Sequence, residues 1–237
     1  FVISFFCFKL AFSAECIKRR AVFDLGASST KIYVRDVNVC DSKVSDRVFS
    51  DAVKVQYRED LFHSKGNTLS PAIQEEGTKA IEGFLLKTKE LNPPPSEYLA
   101  LGMSAFRLAK NAKSYFKGLE KKLKIPFRVI SQNKEAELAY LGVGYVNPSE
   151  EFSVWDVGGG SAQIIYKHKG KMQFLNFNWG SDVFKNWIYK NIKKNTKLET
   201  PNPMSGVEIE ETLKLFQKVL KKEIGNKHIS FIKNHKI

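Results

Sequence analysis

Two short segments of the chain share a combination of residues that can bind an anion. Residues 24–31 (DLGASSTK) and residues 156–161 (DVGGGS) each follow a short apolar run. In each, an Asp ends a predicted strand, and a turn of Gly and hydroxyl residues exposes backbone N–H groups. Two such turns facing each other would clamp one phosphate chain, with the two carboxylates holding a divalent cation against its oxygens. Taken singly, each segment is more typical of a simple β-hairpin.

Two further segments place a cation and a carboxylate near predicted helix starts. In residues 102–111 (GMSAFRLAKN), Arg107 lies in the first turn of a helix, where a guanidinium and the helix N-terminus suit a phosphate. In residues 129–138 (VISQNKEAEL), Glu135 opens a helix after a strand and could orient or deprotonate a water. The ordinary alternatives are a solvated Arg and a Glu that offsets the helix dipole.

The elements that must position these residues follow one pattern twice. Apolar alternation and turn residues predict strands at 21–27, 30–37 and 48–57, a helix from Ser70 to about Leu91, a strand at 97–103, a helix at 104–123, a strand at 126–132 and a helix at 134–146. The pattern restarts with strands at 152–160, 161–170 and 171–177, helices at 181–194 and 206–224, and a short strand at 228–232. The sequence therefore predicts an α/β fold with two similar β-β-β-α-β-α-β-α lobes, the second incomplete.

Taken in order, the four segments resemble the motifs of the exopolyphosphatase / guanosine pentaphosphate phosphatase (Ppx/GppA) family. That family shows a DLGSNS-like loop, a GT-x-x-x-R-x-A-x-N segment, a VISG-x-EEARL-x-x-x-GV segment and a DIGGGSTE loop. Here they read DLGASST, GMSAFRLAKN, VISQNKEAELAYLGV and DVGGGSAQ, at matching spacing across residues 20–185. The resemblance implies the ribonuclease H-like (actin-like ATPase) fold and a second lobe that stops early.

The resemblance also implies an activity and a set of roles. The activity is release of terminal phosphate from inorganic polyphosphate or guanosine pentaphosphate by metal-assisted, in-line attack of water. Glu135 would be the catalytic residue, and Mg²⁺ (or Mn²⁺) would lie near Asp24 and Asp156. The expected phosphate-binding residues are Gly26, Ser28, Ser29, Lys31, Arg107, Gly158, Gly159, Gly160 and Ser161.

Several positions depart from the family pattern. The first Glu of the EE pair is Lys134, the Arg after it is Glu137, and the Thr of the GT pair is Met103. Gln163 replaces the carboxylate that ends the GGGSTE loop, which should weaken or alter divalent-ion binding. Two other functions therefore stay open: a catalytically impaired homologue that only binds polyanions, and an ATP-using phosphotransferase of the same fold. The second would need a late G-x-x-G-T-like turn, which the sequence lacks.

The ends and the charge of the chain add expectations about organisation and location. Residues 1–14 (FVISFFCFKLAFSA) are too short to span a bilayer and resemble a secretory signal, although a buried first strand is the alternative. We predict an N-terminal extension at 1–19, a first lobe at 20–145 and a partial second lobe at 146–237. Export would place the protein in the periplasm or outside the cell, where Cys16 and Cys40 could pair; otherwise it is cytoplasmic.

The composition and the net charge restrict the classes of molecule that the protein is expected to bind. Hydrophobic residues make up 43% and charged residues 27%, which excludes a disordered chain, and four scattered His exclude a His-rich metal cluster. Lys and Arg number 38 against 25 Asp and Glu, for a net charge of +13. That excess suits a phosphate chain. No nucleic-acid recognition motif is present. We expect no nucleic-acid partner, no stable membrane insertion and a possible homodimer.

Overall fold

The computed structural model of the chain describes residues 16–147 and 152–234. The predicted signal segment, residues 1–14, lies outside the described residues. The strands are β1 (Ile17–Leu25), β2 (Ser29–Asn38), β3 (Lys43–Lys54), β4 (Glu97–Gly102), β5 (Phe127–Val129), β6 (Ser153–Val157), β7 (Ala162–His168) and β8 (Lys171–Phe177). The helices are α1 (Tyr57–His63), α2 (Pro71–Lys89), α3 (Ser104–Leu108), α4 (Ala112–Leu123), α5 (Gln132–Val146), α6 (Ser181–Asn191) and α7 (Gly206–Asn234).

The first sheet has the strand order β3-β2-β1-β4-β5, with β1 at its centre. β1 pairs antiparallel with β2 and parallel with β4. Because side chains alternate along a strand, Phe23 and Leu25 point into the core and are fully buried. A disulfide joins Cys16, just before β1, to Cys40 after β2, with the two Cα atoms 5.4 Å apart. The central strand therefore delivers Asp24 to one edge of a well-packed lobe.

The second sheet is an antiparallel meander with the order β6-β7-β8. One face packs against α5, where Ala136 and Tyr140 contact Val154 and Ile165 in a small apolar core. The predicted boundary between residues 145 and 146 thus falls at the end of a helix that follows the first sheet in sequence and covers the second. α5 therefore connects the two sheets, because it follows β5 of the first sheet and packs against the second sheet.

The predicted order of elements is confirmed along the described residues, with three differences. The single helix predicted at 104–123 is wrong: it is α3 and α4, because the Asn111 side chain accepts from the Leu69 N–H at 2.9 Å and donates to the Leu69 carbonyl at 2.8 Å. The strand predicted at 228–232 is also wrong, since those residues continue α7. The third strand starts and ends earlier than predicted, and α1 follows it with Tyr57 and Leu61 buried.

Polar contacts cross from the first lobe to the second. Glu59 on α1 accepts from Lys185 Nζ and from Asn186 Nδ2 on α6, each at 3.2 Å. Gln132 at the start of α5 donates to the Phe177 carbonyl at 2.9 Å. These contacts hold the ends of β1 and β6 on two sides of one cleft. Within the described residues, no helix combines the length and the apolar composition needed to cross a bilayer.

Candidate active site

The two Asp-containing loops have the same backbone turn. In the first loop, residues 24–29, the Gly26 N–H donates to the Ser29 carbonyl at 2.9 Å. In the second loop, residues 156–161, the Gly158 N–H donates to the Ser161 carbonyl at 3.0 Å. Each turn closes an antiparallel strand pair, and each Asp lies two residues before its turn glycine. The repeated sequence pattern is therefore a repeated structure.

Both loops line one cleft of about 470 Å³ between the lobes. The predicted site residues that line it are Asp24, Gly26, Ser28, Ser29, Lys31, Glu135, Asp156, Gly158, Gly159, Gly160 and Ser161. Arg107 does not line the cleft itself but hydrogen-bonds two of the residues that do. The structure thus brings together all the residues that the sequence singled out, from segments far apart in the chain.

Glu135 is fixed by a cap and by an arginine. Ser131 caps α5, its Oγ accepting from the Lys134 N–H at 3.2 Å, which places Glu135 in the first turn. Arg107 Nη1 donates to Glu135 Oε2 at 2.7 Å, and Arg107 Nη2 donates to Ser161 Oγ at 3.2 Å. A guanidinium from the first lobe therefore links the carboxylate on α5 to the second loop. Glu135 Oε1 has no hydrogen-bond partner among the described residues.

The carboxyl groups of the cleft have pKa values above their ordinary range. Burial raises the pKa of Asp24, which the charge of Lys31 lowers and that of Asp156 raises. Burial also raises the pKa of Asp156, again opposed by Lys31. The pKa of Glu135 is raised by burial, lowered by the hydrogen bond and charge of Arg107, and raised by the two Asp. Such shifts by burial and like charge are typical of functional clefts.

The second loop packs so closely on its surroundings that two of its glycines, Gly159 and Gly160, have no room for a side chain. A Cβ on Gly159 would overlap the Asp182 carboxylate and lie 2.9 Å from Ser28 Oγ, while one on Gly160 would overlap the Ser104 side chain. Ser104 and Asp182 are thus site neighbours that the sequence analysis missed. Their only local signal was a small polar residue at a helix start, which is ordinary for a cap.

Backbone donors of the two loops are free to meet an anion. In the part of the chain that the structure describes, the N–H groups of Ala27, Ser28, Gly159 and Gly160 have no acceptor. Unpaired N–H groups clustered in a concave turn bind phosphate-like anions. The two turns therefore present backbone donors to an anion between the loops.

The profile of the Ppx/GppA phosphatase family matches residues 38–176. That stretch contains Arg107, Glu135 and the second loop, in that order along the chain. The chain belongs to the Ppx/GppA phosphatase family. The resemblance inferred from the four segments is thereby confirmed.

Solved structures share the fold of this Ppx/GppA chain. The Ppx/GppA family member of Aquifex aeolicus is 23% identical, with a TM-score of 0.63 over 88% of this chain and 62% of its own. An exopolyphosphatase of Cytophaga hutchinsonii is 21% identical, with a TM-score of 0.67 over 87% of this chain and 63% of its own. An exopolyphosphatase-like protein is 19% identical, with a TM-score of 0.69 over 89% and 62%. The predicted actin-like ATPase fold is confirmed, and the chain spans about three-fifths of the length of these structures.

The residues present fit a hard divalent cation at the carboxylate side of the cleft. Asp24 Oδ1 is buried with no hydrogen-bond partner, and Asp156 lies near enough to raise the pKa of Asp24. Among the described residues, no three His, Cys, Asp or Glu side chains are grouped to enclose an ion. Mg²⁺ is commonly held by one or two carboxylates, with waters and substrate phosphates as its other ligands. Asp24 and Asp156 would hold such an ion.

Proposed function

We propose that this Ppx/GppA chain is a phosphohydrolase that releases terminal phosphate from inorganic polyphosphate or guanosine pentaphosphate by in-line attack of water. The observation that carries the proposal is the convergence of both loops and Glu135 on one cleft. Phosphoryl transfer asks the protein mainly for positioning and charge stabilisation. The cleft offers both, since it combines free backbone donors, three carboxyl groups and Lys31, with Arg107 hydrogen-bonded to Glu135 and Ser161 beside it.

Glu135 is the residue that we propose to orient and deprotonate the water. One of its oxygens accepts from Arg107, which leaves Oε1 for the water. Its pKa is raised by burial, and a carboxylate whose pKa is nearer the working pH is a better general base. The hydrogen bond and the charge of Arg107 limit that rise and so favour the ionised form of Glu135.

The loops and the cations are proposed to hold the phosphate chain. The N–H groups of Ser28, Gly159 and Gly160 and the hydroxyls of Ser28, Ser29 and Ser161 would donate to phosphoryl oxygens. Lys31 is 40% exposed, and its Nζ lies 4.0 Å from Asp24 Oδ2, so it can turn toward a bound phosphate. Mg²⁺ or Mn²⁺ bound at Asp24 and Asp156 would neutralise charge on the phosphoryl oxygens.

The direct test compares Glu135→Gln with a matched Glu→Gln change nearby. Glu137 lies two residues along the same helix, 38% exposed and paired with Lys134, so Glu137→Gln controls for surface charge on α5. Phosphate release from tripolyphosphate and from guanosine pentaphosphate is measured with Mg²⁺. We expect no detectable release by Glu135→Gln and release near that of the unmodified chain by Glu137→Gln. Turnover retained in Glu135→Gln would remove Glu135 from the role.

Gln163 supports a second candidate, a homologue that binds polyanions without hydrolysing them. Its neutral amide stands where the family pattern has a carboxylate near the metal. That function predicts tripolyphosphate binding with no phosphate release at any Mg²⁺ or Mn²⁺ concentration. Release above the Glu135→Gln background would exclude it.

The disulfide supports export as the proposed location. Disulfides persist in oxidising compartments such as the bacterial periplasm and are rare in the cytosol. Cys16 and Cys40 form one that closes the β1–β2 hairpin. Mass spectrometry of protein from its source, alkylated without reduction, tests this: we expect both Cys to be unmodified by the reagent. Alkylation of both would contradict export.

A further inference from the structure

The hydroxyl of Ser161 receives two hydrogen bonds at once. Arg107 Nη2 donates to Ser161 Oγ at 3.2 Å, and Gln163 Nε2 donates to the same oxygen, also at 3.2 Å. Ser161 is 3% exposed and Gln163 1% exposed, so both contacts are shielded from water. The two donors come from different lobes. Ser161 Oγ is therefore a junction between them at the rim of the cleft.

Counting donors and acceptors fixes what this hydroxyl can do. A serine hydroxyl has one proton and two lone pairs, a guanidinium has no acceptor, and an amide nitrogen only donates. Both lone pairs of Ser161 Oγ are occupied, so the proton is its one remaining capacity. The amide orientation of Gln163 leaves its buried Oε1 without a partner. The reverse would leave a buried NH₂ group unpaired, and orphaned buried N–H groups are rarer than under-satisfied carbonyls.

The residue at position 163 therefore decides whether the Ser161 hydroxyl can donate its proton into the cleft. A carboxylate there, as in the family pattern, has no proton to give when ionised and would accept from Ser161. The hydroxyl would then point its proton away from the cleft. With Gln163 the proton is left for an acceptor in the cleft, and phosphoryl oxygens are acceptors only.

We propose that Gln163 is a positioning residue which, together with Arg107, makes the Ser161 hydroxyl an obligate donor to a phosphoryl oxygen of the bound chain. This inference rests on the proposed function, because it assumes that a phosphate chain occupies the cleft. It assigns to the departure from the family pattern a role in anion binding. The substrate class it favours is an anion with several phosphoryl oxygens, which can meet both loops.

The experiment measures tripolyphosphate binding by calorimetry, with kcat and KM for phosphate release measured separately. The variants are Gln163→Glu, Ser161→Ala and the double change, with Gln173→Glu on β8 as the matched Gln→Glu control. We expect Gln163→Glu to weaken binding and raise KM by roughly 10- to 100-fold, the range for a lost hydrogen bond to a charged group. The value of kcat should change much less, because the bond is made in the bound ground state.

The double change separates hydrogen bonding from charge repulsion. A new buried carboxylate would repel an anion whether or not Ser161 is present, so that effect would persist in the Ser161→Ala background. Our inference predicts that Gln163→Glu has little further effect there. An equal effect in both backgrounds overturns it, as does tighter binding by Gln163→Glu.

A second variant keeps the test open if Gln163→Glu does not melt cooperatively. Gln163→Leu removes the donor without adding an acceptor, and we expect a loss of roughly 2- to 10-fold that disappears in the Ser161→Ala background. A loss of the same size in both backgrounds overturns the inference. If the unmodified chain binds tripolyphosphate but releases no phosphate, the proposed hydrolysis fails while this inference stands. If it does not bind tripolyphosphate at all, both fail.

Discussion

The first and second loops share one backbone turn but differ in what surrounds the carboxylate. In the first loop, Asp24 lies opposite Lys31 across the strand pair. In the second, Asp156 lies opposite Gln163, which is neutral and turned toward Ser161. The first loop therefore supplies a partly exposed cation, whereas the second supplies glycine backbone packed against the first loop and α6. The two loops thus share one backbone turn, but the first loop carries the cationic side chain and the second carries the closely packed glycines.

The largest expected effect comes from the close packing of the second loop. Gly160→Ala places a Cβ against the Ser104 side chain and close to the Ala27 side chain, so either Ser104 or the second loop must shift. A misplacement of about 1 Å can cost 100-fold in rate, and we expect a loss of about that size in kcat/KM for tripolyphosphate. Gly26→Ala in the first loop meets its nearest atom, the Ser29 carbonyl oxygen, at 3.3 Å and should lose less than about tenfold. Equal losses would show that the two loops are packed alike.

The next effect concerns Arg107, which contacts the second loop and Glu135. Its charge and hydrogen bond lower the pKa of Glu135, so Arg107→Met should raise that pKa further. Because the base must be ionised to act, the acidic limb of kcat/KM against pH should move to higher pH. Arg128→Met, an exposed change on β5, serves as the matched control and should leave the limb in place. An unmoved limb in Arg107→Met would mean that Glu135 does not titrate in the profile.

The smallest effect is on stability and differs between the two carboxylates. The folded state raises the pKa of Asp24 and of Asp156, so it binds more protons than the unfolded chain. Stability is therefore lost as pH rises from the ordinary carboxylate pKa through the raised one. Asp24→Asn should raise Tm at pH 7.5 by about 2–4 °C, the shift that ~1 kcal/mol gives in a chain of this size.

That gain should shrink at about pH 4, close to the ordinary carboxylate pKa, because the raised pKa of native Asp24 favours its protonated form there. Asp156→Asn should gain less, since Asp24 is the carboxylate with a buried, unpartnered oxygen. Asp41→Asn, at an exposed turn, should give no gain. Thermal melts at both pH values check all three variants, and a lower Tm for Asp24→Asn at pH 7.5 would contradict the sign.

The site could be predicted because its signals are local. A strand that ends in Asp followed by a glycine turn is visible in a few residues, and finding it twice indicated that the two copies face each other. The loop neighbours Ser104 and Asp182 could not be found that way, since only the packing of the lobes brings them to Gly160 and Gly159.

The fold errors also come from distant contacts. Residues 104–123 have helical periodicity throughout, and the break after Leu108 depends on the hydrogen bonds between Asn111 and Leu69. The apolar run at 228–232 is too short to distinguish strand from helix, and the preceding helix simply continues through it. Site residues within one loop could therefore be predicted from the sequence, whereas helix and strand boundaries that depend on distant contacts could not.

The central claim is that water, positioned by Glu135, attacks a phosphoryl group held between the two loops. Phosphate released from tripolyphosphate in ¹⁸O-labelled water, with Mg²⁺ present, tests it by mass spectrometry. We predict that the unmodified chain releases orthophosphate carrying one labelled oxygen and that Glu135→Gln releases none. Unlabelled orthophosphate would show that water does not attack the terminal phosphorus, and labelled orthophosphate from Glu135→Gln would show that the carboxylate is not required; either result contradicts the claim.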